Sequence, residues 1–245
     1  MTGAASPGRV WLFDLDNTLH DASHASFPQM HLAIGEYVVG ELGVTVDEAN
    51  ALRQTYWRRY GATLLGLVRH HGVRAGHFLE ETHRMPGMED RLRTSAHDRA
   101  ALARLPGRKI ILTNAPRDYA LRVLHTLGLA RLFEAVITIE DMTMFGSLRP
   151  KPDARMLRRV VARLRVPASR CVLVEDMLDN VKAARAVGMR GIWMQRYVDG
   201  RFRGHFRSGS NAGAKPAPTT GRKCPKPAYL YAKIGALRSL HRLPR

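Results

Sequence analysis

The feature that most constrains this chain is a recurring short apolar run rich in β-branched residues. The runs are Val10–Phe13, Lys109–Leu112, Ala135–Ile139, Cys171–Val174 and Gly191–Met194. Each has strand length, and none alternates with polar residues, so each reads as a strand covered on both faces. Helical patterns lie between them at Asp118–Leu127, Pro152–Leu164 and Leu178–Val187, with Gly128 and Gly188 placed to end two of these. Strand and helix alternating at this spacing predict a parallel sheet with crossover helices, a doubly wound (Rossmann-like) α/β core.

One stretch breaks the alternation. Residues 20–97 carry no convincing strand and read as helices over Pro28–Leu42, Val46–Arg59, Ala62–His70 and Ala75–His83, with Thr45 and Glu48 as a capping box before the second. The expected organisation is a core of residues 1–19 and 98–199, with an all-helical insertion, 20–97, over the C-terminal edge of the sheet. Residues 200–227 contain no Leu, Ile or Val and read as a basic, flexible loop. Residues 228–245 regain order, with a strand-like piece followed by a helical one that closes the core.

Charge adds a second constraint. The 245 residues hold 39 Lys and Arg against 21 Asp and Glu, a net +18. Eleven of the basic residues follow Asp199, beyond which there is no acid, so residues 1–200 carry a moderate +7. Such a body suits an anionic substrate, and the basic tail suits non-specific contact with polyanions. No run nears the roughly 18 apolar residues of a spanning helix, and Val10–Phe13 is too short for a signal-peptide core. Two cysteines, Cys171 and Cys224, are too few for a disulfide framework, which implies the cytoplasm and no membrane.

The chemistry-bearing residues fall at strand ends, where doubly wound sheets bind ligands. Asp14-Leu15-Asp16-Asn17-Thr18 follows the first strand. Two carboxylates at i and i+2 can divide two roles, attack on phosphorus and proton transfer. Thr113 and Asn114 follow the second strand, where a hydroxyl, an amide and free N–H groups can hold phosphate oxygens. Lys151, in Arg149-Pro150-Lys151-Pro152, lies where Pro152 suits the first turn of a helix. A lysine there gains nothing from the helix dipole, but it can balance anions, with Arg149 as its competitor. Glu175 and Asp176 end the fourth strand, with Asp179 and Asn180 behind them. Paired acids there are costly unless a hard cation such as Mg²⁺ neutralises them. No His or Cys cluster has zinc-ligand spacing, and there is no Walker-type loop.

The order acid pair, Thr/Asn, Lys, acid pair resembles the haloacid dehalogenase superfamily of aspartate-nucleophile phosphotransferases, over residues 9 to about 196. The resemblance implies Asp14 as nucleophile and Asp16 as general acid/base. It implies Mg²⁺ on the Asp14 carboxylate, the Asp16 carbonyl and Asp176, with Glu175 direct or through water. Thr113, Asn114 and Lys151 would bind phosphate, and the helical insertion would be the family's cap. Asp16 argues against the dehalogenase branch, which lacks it. The sequence Tyr56-Trp57-Arg58-Arg59-Tyr60-Gly61, then Gly66-Leu67-Val68 and His70, with Thr113-Asn114-Ala115 and Arg122, looks like the pyrimidine 5′-nucleotidase branch. That implies a UMP and CMP phosphatase with Tyr56 and Tyr60 as base-contact candidates; His24, His70 and His83 are weaker ones. The alternatives are a phosphatase or phosphotransferase for another small metabolite such as a sugar phosphate, and a nucleic-acid-binding protein using the basic tail. The closing piece, Tyr229–His241, is displaced from its usual place by the basic loop.

Overall fold

All four side chains of Val10–Phe13 are buried, and a strand of that kind needs an apolar layer on each face. The computed structural model describes residues 8–197 and 227–243. It contains β1 (Val10–Phe13), β2 (Arg108–Leu112), β3 (Ala135–Ile137), β4 (Thr143–Met144), β5 (Ser147–Leu148), β6 (Cys171–Glu175), β7 (Arg190–Met194) and β8 (Ala232–Ile234). Six of these form one sheet in the order β3-β2-β1-β6-β7-β8, parallel throughout, while β4 and β5 form a separate antiparallel hairpin. The helices are α1 (Ala22–Ala25), α2 (Phe27–Leu42), α3 (Val46–Tyr60), α4 (Thr63–His71), α5 (Ala75–His83), α6 (Ala96–Arg104), α7 (Arg117–Thr126), α8 (Ala154–Leu164) and α9 (Leu178–Ala186).

The period of two along the strands divides the core. Trp11, Phe13, Ile111, Val172 and Val174 face one side and pack with Leu102 of α6 and Tyr119, Val123 and Leu124 of α7. Val10, Leu12, Ile110, Leu112 and Leu173 face the other and pack with Met156, Leu157 and Val160 of α8 and Ala184 of α9. Helices on both faces of a parallel sheet make the doubly wound architecture that the alternation implied.

Helices α2–α5 gather around a cluster of their own, built on Val38, Ala49, Tyr56, Leu64, Leu67 and Phe78. Ile139 and Leu148, from outside this helical block, pack into it. Thr45 and Glu48 cap α3 reciprocally. Ala25, Met85, Met88 and Leu92, which flank the block in sequence, lie in the apolar layer of the sheet instead.

Several boundaries differ from the sequence pattern. The third strand stops at Ile137, because Thr138 and Asp141 form a capping box on a 3-10 turn at Ile139–Asp141. The helix expected from Pro152 starts at Ala154, since the Asp153 carboxylate accepts from the N–H groups of Arg155 and Met156. Pro152 therefore precedes the cap rather than filling the first turn. Gly128 and Gly188 do follow their helices with left-handed φ of 66° and 89°. The closing piece is β8, alongside β7, followed by a 3-10 turn over Leu237–Arg242 rather than an α-helix. Leu237 and Leu240 are buried on the α6 side, and His241 Nε2 donates to the Ala101 carbonyl at 2.9 Å. The expected loop at 200–227 and Cys224 lie outside the described residues, save for Pro227. Among the described residues no helix is long and apolar enough to cross a membrane.

Candidate active site at the strand ends

Strand register brings the motifs together. Phe13 is level with Ile111 of β2 and Val174 of β6, and the Asp14 N–H donates to the Val174 carbonyl at 3.0 Å. Asp14, Thr113 and Glu175 thus emerge side by side at the C-terminal edge of the sheet.

Lys151 joins them from the loop between β5 and α8. Its Nζ donates to Asp14 Oδ1 and to Glu175 Oε2, each at 2.7 Å. The three side chains are 1%, 9% and 1% exposed, so these ion pairs are desolvated. Burial works to lower the Lys151 pKa, but the two carboxylates outweigh it and hold the ammonium well above its ordinary value. Burial, with Glu175 nearby, pushes Asp14 up to about 7 despite Lys151. Burial, then Glu175 and Asp14, raises Asp176 well above the usual carboxylate range.

One oxygen each from Asp14, Glu175 and Asp176 lies within 4.8 Å of the others. Crowded hard oxygens, with the Asp14 and Asp176 carboxyls both held above their usual range, are the donor set a hard divalent cation fits. Both Glu175 oxygens are already engaged, Oε2 by Lys151 and Oε1 by the Met177 N–H at 3.1 Å. The Asp176 backbone is fixed by Trp193, whose indole N–H donates to the Asp176 carbonyl at 2.8 Å. Asp179 pairs with Lys182 on the surface at 3.1 Å and stands outside the cluster.

The remaining expected residues divide. Thr113 is buried, and its Oγ1 accepts from the Ala115 N–H at 3.1 Å. Asn114, expected to hold phosphate, spends its side chain otherwise. Its Oδ1 accepts from the Lys151 N–H and its Nδ2 donates to the Lys151 carbonyl, both at 2.9 Å. Its amide clamps the backbone of Lys151 on both sides, which leaves the second Nδ2 hydrogen as its remaining donor. Arg149, the competitor for the lysine role, pairs with Asp153 at 3.0 Å.

Asp16 stands beside the ion pair, partly exposed. Its Oδ1 accepts from the Tyr119 hydroxyl at 2.6 Å and meets His20 Nε2 at 2.9 Å. Neither partner was visible in the sequence pattern. Tyr119 falls on the apolar stripe of α7, where an aromatic reads as packing, and the only signal for His20 was its position four residues after Asp16. Tyr119 also meets Ser26 Oγ at 2.9 Å, and the ring of His83, from α5, packs edge-on against it at 5.6 Å. Burial holds His83 down to about 4, hence neutral.

Tyr56 and Tyr60 make no described hydrogen bond to Asp14, Asp16, Lys151, Glu175 or Asp176. Tyr56 is 8% exposed inside the helical block, and its hydroxyl bonds His71 Nε2 at 2.6 Å. Tyr60 bonds His70 Nε2 at 2.6 Å. A Cβ at Gly66 would come within 2.1 Å of Tyr56 Cγ, so the tyrosine packs directly on the α4 backbone. Arg122 binds the C-terminal end of α5, donating to the Arg84 carbonyl at 2.7 Å and pairing with Glu89 at 2.7 Å. His24 lies on the short α1, away from the ion pair in every described contact.

Comparison with known proteins agrees with this geometry. Phosphate metabolism protein 8 of Saccharomyces cerevisiae is 26% identical over 196 residues, covering 74% of this chain and 60% of that protein. This chain therefore spans less than two thirds of the yeast relative. A phosphoglycolate phosphatase of Pseudomonas savastanoi is 26% identical over 196 residues, 74% of this chain and 67% of that one. The crystal structure of a phosphatase from Thermococcus onnurineus superposes with a TM-score of 0.57 at 19% identity, covering 96% of both chains. Residues 9–188, which hold all four strand-end motifs, match the haloacid dehalogenase-like hydrolases, and the chain belongs to that family.

Proposed function

We propose that this chain is a phosphomonoester hydrolase that works through a phosphorylated Asp14. The observation that carries the reading is the Lys151 ammonium, 2.7 Å from both Asp14 and Glu175 at the mouth of the sheet. A buried cation between two carboxylates is a device for holding anions where they would otherwise repel. Asp14, Asp176 and the Asp16 carbonyl, with Glu175 directly or through water, are the groups that would hold Mg²⁺. When bound, the ion supplies positive charge to the phosphate oxygens and to the nucleophile.

In the first step an Asp14 carboxylate oxygen attacks phosphorus, and the bond to the ester oxygen breaks. Asp16 delivers a proton to that leaving oxygen. In the second step Asp16 takes a proton from water as the water attacks the phosphorus of the acyl phosphate, which releases phosphate and restores Asp14. Lys151, aligned by the Asn114 clamp, favours the ionised form of Asp14 against the effect of burial and orients its carboxylate. Thr113 and the backbone N–H groups at the start of α7 face the phosphate. The helical block α2–α5, which is shorter at both ends than the 20–97 expected from the sequence, serves as the cap that excludes bulk water.

The finer reading is a pyrimidine 5′-nucleotidase acting on UMP and CMP, on the strength of the α3–α4 sequence. A second reading, a phosphatase for a smaller organic phosphate, is favoured by the commitment of the Tyr56 and Tyr60 hydroxyls to histidines. Phosphate release from UMP, CMP, AMP, GMP, hexose phosphates and phosphoglycolate in Mg²⁺ tests both. UMP and CMP leading in kcat/KM supports the nucleotidase; phosphoglycolate or sugar phosphates leading supports the second. Asp14→Asn should abolish release from every ester, and residual turnover above a small percentage removes Asp14 from the nucleophile role.

A further inference from the structure

Two buried donors converge on one oxygen of Asp16. The Tyr119 hydroxyl reaches Oδ1 at 2.6 Å, and His20 Nε2 reaches the same atom at 2.9 Å. Among the described residues, Oδ2 takes part in no hydrogen bond. Both partners are almost completely excluded from water, Tyr119 at 1% and His20 at 0% exposure. The Asp16 side chain itself retains 17% exposure.

The protons can be placed. Among the described residues, His20 Nδ1 is buried without a hydrogen-bond partner. The Asp16 carboxylate oxygen can only accept, so the proton of their shared bond sits on His20 Nε2. His20 therefore donates to Asp16. Tyr119 spends its one proton on Asp16 as well, and Ser26, 2.9 Å from the phenol oxygen, is placed to donate to it in turn. The His83 ring against Tyr119 and the surrounding apolar layer fix the phenol. A carboxylate clamped by two donors on one oxygen has lost its rotation about χ2.

We infer that Tyr119 and His20 are positioning residues for Asp16, holding Oδ1 so that Oδ2 alone exchanges the proton with the ester oxygen and the attacking water. This rests on the reading of Asp16 as general acid/base. Neither residue touches the substrate; they act by presenting Oδ2 at a fixed angle when the leaving oxygen departs. Without them Asp16 would sample rotamers in which either oxygen, or neither, faces the ester.

The test compares leaving groups, since an ester whose leaving oxygen needs little protonation needs little help from Asp16. kcat/KM, which reports the step that breaks the ester bond, is measured in saturating Mg²⁺ for p-nitrophenyl phosphate and for the best alkyl phosphomonoester of the substrate panel. Tyr119→Phe and His20→Leu should each lower kcat/KM for the alkyl ester about 10–100-fold, as expected for a lost hydrogen bond to a charged group. For the nitrophenyl ester the loss should stay under about threefold. His20→Gln, which returns a donor near Nε2, should recover part of the alkyl rate. Thermal unfolding checks that each variant is folded, and if Tyr119→Phe does not fold, the two His20 variants carry the same comparison. Equal losses for both esters, or no loss for either, overturn the positioning role. Asp16→Asn serves as the reference. If it too fails to discriminate between the esters, the acid/base reading of Asp16 falls; if it discriminates and the Tyr119 and His20 variants do not, only the positioning role falls.

Discussion

At the scale of single residues, the site is a balance among Lys151, Asp14, Glu175 and Asp176. Lys151→Met should leave two desolvated carboxylates facing each other and destabilise the chelated, metal-free protein by about 3–5 kcal/mol, the usual cost of breaking a buried pair. The loss should depend on pH in a definite direction. Asp14 holds its proton to a higher pH in the folded chain, up to about 7, than in the unfolded one, where a carboxylate titrates near 3.8. The folded state is therefore penalised progressively as pH rises between those values, and more steeply without the lysine. Urea unfolding in chelator should show a larger loss at pH 8 than at pH 5; a loss that grows toward acid would contradict the arrangement. Asn114 acts at the same scale, since two bonds to one peptide set where the lysine starts.

Among the elements, the contact between α3 and α4 tests what Tyr56 is for. A methyl at Gly66 has no room against the Tyr56 ring, so Gly66→Ala should cost about 1–3 kcal/mol by overpacking. Tyr56→Phe should lose about 1 kcal/mol with its bond to His71 and leave kcat/KM unchanged. A kcat/KM fall without loss of stability would return Tyr56 to the substrate. The same elements show how far the sequence could be read. The strands of the sheet were legible because their runs are largely apolar, with every position buried in β1 and β6. α3 was legible at its start because Thr45 and Glu48 satisfy each other locally. The hairpin of β4 and β5 was not. Its strands are two residues each, and its turn holds Phe145 as well as Gly146 at positive φ, 50° and 71°, which no side-chain pattern announces. Within the site, the four motifs were legible as local strings. The clamp of Asn114 on Lys151 spans 37 residues and the bond from Tyr119 to Asp16 spans 103, and neither spacing is written in any local pattern.

For the whole molecule, the crowded carboxylates predict that the ion and the fold are thermodynamically linked. At about 100 times its dissociation constant, a ligand confined to the folded state stabilises by about 2.7 kcal/mol. In a chain of this size that raises Tm by about 5–10 °C. Mg²⁺ without substrate should produce such a shift in the wild type and little or none in Asp176→Ala, as read by scanning calorimetry; an equal shift in both would move the ion elsewhere. The position of β1 has a further consequence, for biogenesis. β1 is flanked by β2 and β6, whose pairing residues for Val10 are Arg108 and Cys171. A ribosome adding roughly 5–20 residues per second delivers these neighbours about 5–20 s and about 8–32 s after β1 itself. During that wait a wholly apolar strand has no partner, while α2–α5, whose contacts are close in sequence, can already fold. The helical block is thus the early product of translation. The sheet edge that holds Asp14, Thr113 and Glu175 comes into being only once β6 has been made, which makes nascent β1 the segment most in need of a chaperone.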